Sequence, residues 1–347
     1  MTRVQAIIQQ HHEALSIATA LANEFKTIPR NQLALLIEMN EAIDYWWLQL
    51  PIEQRLGKVK LRVKFCRVLV LYYQGQFIEM FTLAHELVKD SEHVEDQPYI
   101  AHIHRLMAHV CYVLSLVDPA ISHGFKALRR FEALHAEDDI IKTLIVLGIV
   151  YSLVDDFELQ EQYFMEALDR AKRSGSTLLV RTTLSNMTYL YIQSQRVEKA
   201  HRILEEAMAL EASEGSITNV GIEINRLRLA MIDGQLDFAM AQIELLDKLE
   251  TLKTDQSLIM DFCLLKSDFC HLKGGSTTQC EGLLLQGLEV ALNIDSKKYQ
   301  ETFYKQLAKR ALERLDFEHA YSYQEKALHL REEMEREKSH NQYVILR

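Results

Sequence analysis

The residues of this sequence that could bind a metal ion are few and poorly spaced for that purpose. His102 and His109 are seven residues apart, so on a helix they share a face but lie about 10 Å apart along its axis. One zinc ion, with its ligands about 2 Å away, cannot bridge that distance. His11 and His12 are adjacent and therefore point to different faces of a helix. We predict no metal site.

The remaining candidates for chemistry are cysteines and short motifs. No Gly-x-x-x-x-Gly-Lys-Ser/Thr, Gly-x-Gly-x-x-Gly or Gly-x-Ser-x-Gly occurs, which argues against nucleotide binding and against a nucleophile elbow. Cys263 and Cys270 are expected to be core residues, and a reducing compartment is favoured because no Cys-x-x-Cys pair occurs among the five cysteines. These are Cys66, Cys111, Cys263, Cys270 and Cys280. We predict no cofactor and no catalysis, with an enzyme of unrecognised site as the weaker alternative.

Charge and hydropathy narrow the range of partners. The 347 residues include 39 Lys and Arg against 49 Asp and Glu, a net charge of −10, so we predict no nucleic-acid partner. The longest apolar run covers residues 144–154, about half of the roughly 20 residues that span a bilayer. The N-terminal residues lack the basic and apolar regions of a secretory signal. We predict a cytoplasmic protein without a membrane partner.

The elements that would position any binding residues are helices in a pattern that repeats about every 40 residues. In one unit the pattern is Leu147-Gly148, Tyr151, Phe164 and Ala167, and 40 residues later the same offsets carry similar residues. Seven such helix–turn–helix units lie between residues 61 and 335, which indicates a helical solenoid. A glycine inside a helix costs about 1 kcal/mol relative to alanine. We therefore predict that a neighbouring helix approaches closely at Gly148.

The unit "LGIVYSLVDDFELQEQYFMEAL" resembles a tetratricopeptide repeat, which has Leu-Gly, Tyr, Ala, Phe and Ala at these offsets. The resemblance covers roughly four fifths of the chain. It departs from the family in a period near 40 instead of about 34 residues and in the absence of a closing proline. Similar repeats form the sensory regions of bacterial GGDEF diguanylate cyclases and of peptide-receptor regulators. The resemblance implies an all-α, right-handed α-solenoid of about seven repeats.

We divide the chain into three parts. Residues 1–60 do not match the repeat, and their six basic and six acidic residues leave no basic stripe for a DNA-binding helix–turn–helix. They are predicted to form an N-terminal helical cap on the solenoid of residues 61–335. Residues 336–347 extend the last helix, where Met334, Asn341 and Val344 approximate the a and d positions of a heptad. This extension predicts a homodimer contact or a linker to an output domain, and a frayed capping helix is the alternative.

The resemblance implies that positions 2, 5, 9 and 12 of each inner helix, with position 6 nearby, face a concave groove. Basic residues outnumber acidic ones there, with aromatic residues between them. Arginine can bind a carboxylate with two hydrogen bonds, tyrosine offers amphipathic contact area, and an asparagine amide can hold a peptide backbone. The predicted ligand-binding residues are Arg62, Phe65, Tyr72, His102, Arg105, His109, Tyr112, Lys142, Asn186, Tyr189, Asn225 and Arg228, and later repeats add Asp268, His271, Lys305 and Lys309.

These features together predict a non-catalytic sensory or regulatory module of a bacterial signalling protein. Its ligand is expected to be a peptide or protein segment that is acidic or carries a free carboxylate, bound in the concave groove. The alternative is a free-standing intracellular peptide receptor or adaptor.

Overall fold

The computed structural model describes residues 3–28, 32–91, 96–214, 219–249 and 251–345. The secondary structure of these ranges is helical, and none of their helices is long and apolar enough to cross a membrane. The α-helices are α1 Arg3–Gln10, α2 Ala14–Thr27, α3 Leu33–Gln49, α4 Gly57–Gln74, α5 Phe77–Asp90, α6 Gln97–Val113, α7 Val117–Ala133, α8 Glu137–Tyr151, α9 Phe157–Ser174, α10 Thr177–Gln193, α11 Val197–Glu214, α12 Val220–Ile232, α13 Leu236–Leu246, α14 Thr251–Thr254, α15 Gln256–Leu272, α16 Thr277–Asn293, α17 Lys297–Glu313 and α18 Phe317–Ile345.

Seven antiparallel helix pairs form the body of the described chain. They are α4/α5, α6/α7, α8/α9, α10/α11, α12/α13, α15/α16 and α17/α18. Each pair coincides with one of the seven units predicted from the 40-residue repeat. The predicted all-α solenoid is therefore confirmed.

Close helix contacts occur at the small residues of the repeat. A Cβ atom added to Gly148 would lie 2.6 Å from Cε1 of Phe164, on the partner helix of the same pair. At Gly124 an added Cβ would lie 2.5 Å from Cδ2 of Leu147, which belongs to the next pair. Both distances are shorter than van der Waals contact, so a larger residue would have to displace the neighbouring side chain. The predicted packing role of Gly148 is confirmed.

The N-terminal helices pack on the start of the solenoid. Both α2 and α3 contact α4, and Phe25, Leu36 and Phe65 are buried in one hydrophobic cluster. The hydroxyl of Tyr99 also donates to Oδ1 of Asn23 at 3.1 Å, which connects α6 to α2. These contacts cover one side of the first helix pair, where its apolar side chains would otherwise meet water. The division of the chain at residue 60 remains a prediction.

The first two and the last two helix pairs of the solenoid also meet. Nε2 of Gln256 donates to the carbonyl oxygen of Gln74 at 3.1 Å, and Oγ of Ser296 donates to the carbonyl oxygen of Val113 at 2.8 Å. The side chains of Val113 and Ile294 belong to one hydrophobic cluster. The inner helices therefore surround a common interior, and side chains far apart in the sequence face each other across it.

The last helix, α18, continues past the seventh repeat as predicted. Nε of Arg331 donates to Oε1 of Glu301 at 2.8 Å, so this part of α18 still packs on α17. The structure describes the side chains of α18 only as far as Arg336. The a and d positions at Asn341 and Val344 lie outside these described side chains, and the homodimer contact remains a prediction.

Candidate functional site

The interior of the solenoid contains a central cavity of about 270 Å³. The first helix of every pair contributes to its wall, from α4 at one end to α17 at the other. Seven of the twelve residues predicted to bind a ligand line this cavity. They are Tyr72, His109, Tyr112, Asn186, Tyr189, Asn225 and Arg228. The repeat positions therefore place most of the predicted residues at one site, and their role in binding remains to be tested.

One end of the central cavity holds an arginine that is already paired. The Arg228 guanidinium stacks over the ring of Tyr189 at 4.5 Å and donates to Oδ2 of Asp261 at 3.2 Å. Tyr299 donates its hydroxyl to the other oxygen of Asp261 at 2.9 Å. Burial raises the pKa of Tyr189 and raises that of Tyr299 well above its ordinary value, so both hydroxyls stay protonated. This end of the cavity is close to neutral.

Aromatic rings of α4 and α6 form another part of the wall. The Tyr72 hydroxyl lies 3.1 Å from Nδ1 of His109, and the two rings meet edge to face with centroids 5.6 Å apart. The Tyr112 ring lies against His109 at 5.9 Å, and burial raises the pKa of its hydroxyl. Such rings offer flat apolar area with a polar edge, which suits contact with a peptide.

The amide side chains of the cavity have different roles. Asn225 is 2% exposed, and its Nδ2 donates to the carbonyl oxygen of Ser185 at 2.8 Å while its Oδ1 accepts from Arg228 at 3.3 Å. It therefore holds α12 to α10. Nδ2 of Asn186 donates to Thr182 within its own helix at 2.8 Å, and its Oδ1 accepts no hydrogen bond from the described residues.

Gln160 is a polar residue of the cavity that the repeat positions do not predict. It is only 5% exposed, and its Nε2 has no hydrogen-bond acceptor among the described residues. A buried amide without a partner is unfavourable by about 1–3 kcal/mol. The cavity wall thus carries one unused amide donor, at Gln160, and one unused amide acceptor, at Asn186.

The other five predicted residues lie outside the central cavity. Phe65 is 1% exposed and packs edge to face on Tyr99 at 5.3 Å, so it belongs to the hydrophobic core and does not line the cavity. Nε of Arg62 forms an ion pair with Oδ2 of Asp96 at 2.8 Å, and the Arg62 guanidinium lies over the same Tyr99 ring. Lys142 is exposed. These three side chains therefore do not converge on the cavity.

His102 and Arg105 form a separate polar cluster with Asp139. Nη1 of Arg105 donates to Asp139 at 2.7 Å, and Nη2 lies 3.2 Å from Nδ1 of His102. Burial, together with the charge of Arg105, lowers the pKa of His102 to about 3. Burial opposes the ionisation of Asp139, but Arg105 and His102 overcome it and lower the pKa of that carboxyl. Arg105 therefore balances a charge of the protein itself.

Three arginines of the expected basic surplus are already paired, for a common reason. Arg62, Arg105 and Arg228 each pair with an aspartate on the next inner helix, 34, 34 and 33 residues further along the chain. Because consecutive inner helices lie side by side, this spacing brings each carboxylate to the preceding arginine. The residues predicted from positions 2, 5, 9 and 12 of the repeat did not include Asp96, Asp139 or Asp261. The recurring Arg–Asp separation is the sequence signal that would have identified them.

No protein-family model and no curated protein matches this chain. A Rap protein in complex with competence and sporulation factor is similar in structure, with a TM-score of 0.72, 14% identity and coverage of 93% of this chain and 87% of that chain. NprR in complex with its cognate peptide NprX has a TM-score of 0.70 at 14% identity, covering 92% and 86%. Aspartyl phosphate phosphatase F from Bacillus subtilis has a TM-score of 0.59 at 14% identity, covering 90% and 94%. The chain thus has the tetratricopeptide-type α-solenoid fold of these proteins.

Proposed function

We propose that the protein is a peptide-binding regulatory module and that its central cavity binds a short extended peptide. One observation carries this proposal: Gln160, with an unused donor, and Asn186, with an unused acceptor, both line the central cavity. A peptide bond presents a carbonyl oxygen and an N–H group, so it can satisfy both amides. The structural likeness to NprR, which binds a peptide, supports the same proposal.

The charges of the cavity favour a ligand segment that is not strongly acidic. Arg228 is already paired with Asp261, and Asp255 also lines the wall. A carboxylate of the ligand would have to displace Asp261 from Arg228, whereas uncharged side chains can lie against the tyrosine rings without that cost. This proposal replaces the acidic ligand expected from the sequence.

Because every repeat contributes to the wall, a bound peptide would contact all seven helix pairs at once. Binding can therefore bias the relative positions of the pairs, which is how such a module would signal to a partner or an attached output domain. We place this module in a bacterial signalling protein of the cytoplasm, with a free-standing receptor or adaptor as the alternative. The fold alone does not determine the function, because aspartyl phosphate phosphatase F has the same fold.

The test is selection of peptides from a random heptapeptide phage library, followed by fluorescence anisotropy with the synthetic peptides obtained. Asn186→Ala should weaken binding by roughly 0.5–1.5 kcal/mol, the value of one hydrogen bond. Arg228→Ala should also weaken binding, because it removes the stacking on Tyr189 and leaves Asp261 without its cation.

Arg105→Ala is the matched control for Arg228→Ala. Arg105 also pairs with an aspartate and lies over an aromatic ring, Phe131, at 5.3 Å, but it is outside the cavity. We expect its affinity for the selected peptides to equal that of the wild type. Equal losses from both arginine variants, or no peptide enriched by the wild type, would exclude the central cavity as the peptide site.

A further inference from the structure

A second cavity, of about 450 Å³, continues the central cavity along the inner helices. Arg228 lines both cavities, so they share a wall. The second cavity is bounded by α10, α12, α15 and α17, the first helices of the last four pairs. Peptide and small-molecule sites usually enclose roughly 300–1,000 Å³. The central cavity alone falls below that range, and the second cavity lies within it.

One wall of the second cavity is apolar and open to solvent. Ile232 of α12 and Leu272 of α15 are each 51% exposed, and Met231 and Leu265 extend the same surface. Because water contacts these side chains, an aliphatic group placed against them would remove apolar area from water. The wall therefore favours an aliphatic side chain.

The part of the wall on α17 carries two polar atoms that have no hydrogen-bond partner among the described residues. Arg310 is 1% exposed, and it donates from Nη1 to Glu313 at 3.0 Å and from Nη2 to Asp268 at 3.2 Å. Its Nε has no acceptor, and Oε1 of Gln306 has no donor, among the described residues. Gln306 and Arg310 are four residues apart and so lie one turn apart on the same face of the helix. An unused acceptor and an unused donor thus stand side by side.

The positive charge of Arg310 does not favour an anionic ligand. Asp268 and Glu313 already neutralise the guanidinium, and burial raises the pKa of Asp268 even though Arg310 opposes that change. A further carboxylate would meet these two acids. The free groups at Arg310 and Gln306 instead match the uncharged backbone of a peptide.

We propose that the second cavity is a subsite for one aliphatic residue of the same extended peptide that occupies the central cavity. In an extended chain the N–H and the C=O of one residue point to the same side. That N–H donates to Oε1 of Gln306 and that C=O accepts from Nε of Arg310, while the side chain lies against Ile232 and Leu272. The inference rests on the proposed function and adds the class of peptide: one with an aliphatic residue at a fixed position.

The first test measures side-chain preference with a positional-scanning hexapeptide library and purified full-length protein. The wild type should prefer Leu, Ile or Val at one position. Leu272→Asp and Ile232→Asp should lose that preference and bind the best wild-type peptide about tenfold more weakly, the lower end of the discrimination expected of a hydrophobic pocket. Leu292→Asp is the matched control, because Leu292 is 49% exposed on α16 and lines neither cavity. It should bind as the wild type does.

The second test addresses the backbone contact with N-methylated versions of the best peptide. One N-methyl group, on the residue with the aliphatic preference, should weaken binding to the wild type and cause no further loss in Gln306→Ala. Hexapeptides that bind the wild type and Leu272→Asp alike, with the same preferences, would overturn the subsite and leave the central site intact. Failure of the wild type to bind any hexapeptide would overturn both proposals.

Discussion

Two histidines show how strongly the packing of helices can change the chemistry of a residue. His104 on α6 and His123 on α7 are stacked, with ring centroids 5.0 Å apart and their Nδ1 atoms at hydrogen-bond distance, 2.8 Å. Burial lowers the pKa of His104 to about 3, helped by His123, Arg130 and Lys126. Burial also lowers the pKa of His123 to about 4, helped by Lys126 and His85. Both rings are therefore neutral in the folded protein near pH 7.

This pair predicts a loss of stability in mild acid. In the unfolded chain the histidines take up protons near pH 6.5, whereas in the folded chain they resist protonation down to about pH 4 and 3. Between about pH 6.5 and 4 the unfolded state thus binds more protons, and the free energy of unfolding falls as the pH falls. The slope from each histidine is at most about 1.4 kcal/mol per pH unit. Urea unfolding at a series of pH values measures it.

The variant His123→Asn separates this pair from other acid-sensitive groups. An asparagine amide retains a polar atom near His104 and does not titrate, so the dependence of stability on pH should become shallower in that window. His12→Asn, at an exposed position, should leave the slope unchanged. An unchanged slope in His123→Asn would show that the histidine pair is not the cause.

At the scale of the helix pair, the contact between α8 and α9 depends on the absence of a side chain. Phe164 occupies the space where Gly148 would carry a Cβ. Gly148→Leu should therefore overpack this contact and lower the free energy of unfolding by about 1–3 kcal/mol. Chemical denaturation followed by circular dichroism gives the value.

Gly282 provides the comparison for Gly148. It lies inside α16, and an added Cβ there meets no atom within 4 Å. Gly282→Leu should be neutral or stabilising, because leucine favours a helix over glycine by up to about 1 kcal/mol. Similar destabilisation by both substitutions would contradict the packing explanation for Gly148.

At the scale of the whole molecule, contacts between the first two and the last two repeats join the ends of the solenoid. Ser296 is fully buried and donates to the carbonyl oxygen of Val113, 183 residues away. Ser296→Ala leaves that carbonyl without its donor, which should lower the free energy of unfolding by about 1–3 kcal/mol. It should also increase the radius of gyration measured by small-angle X-ray scattering, because the ends of the solenoid are less firmly joined.

Ser194→Ala tests whether that expansion is specific. Oγ of Ser194 donates at 2.9 Å to Leu190 within the same turn of chain, so the bond joins no distant repeats. This variant should keep the radius of gyration of the wild type and change stability by no more than about 0.5 kcal/mol. Equal scattering curves for Ser296→Ala and the wild type would show that this contact does not keep the solenoid closed.

The sequence alone determined the helices, their pairing and their spacing. The offsets from Leu147 to Ala167 recur because each repeat must place small residues where helices cross and large ones between them, and this is a local requirement. The same offsets predicted that Gly148 meets a neighbouring helix and that Tyr72, His109, Asn186 and Arg228 share one face. The helix contacts follow from the periodicity of a helix. The shared face of these four residues is what the resemblance to a tetratricopeptide repeat implies.

Only the tertiary structure decided which of those residues remain available to a ligand. Arg62 and Arg105 are paired with aspartates of the following repeat, and Phe65 is covered by Tyr99. Tyr299 faces the same cavity as Tyr72 because the solenoid brings its ends together, and its curvature is the sum of many small rotations between pairs. No short stretch of residues encodes that sum. Partners 33 and 38 residues apart, Arg228 and Tyr299 with Asp261, rather than local patterns, therefore define the candidate site.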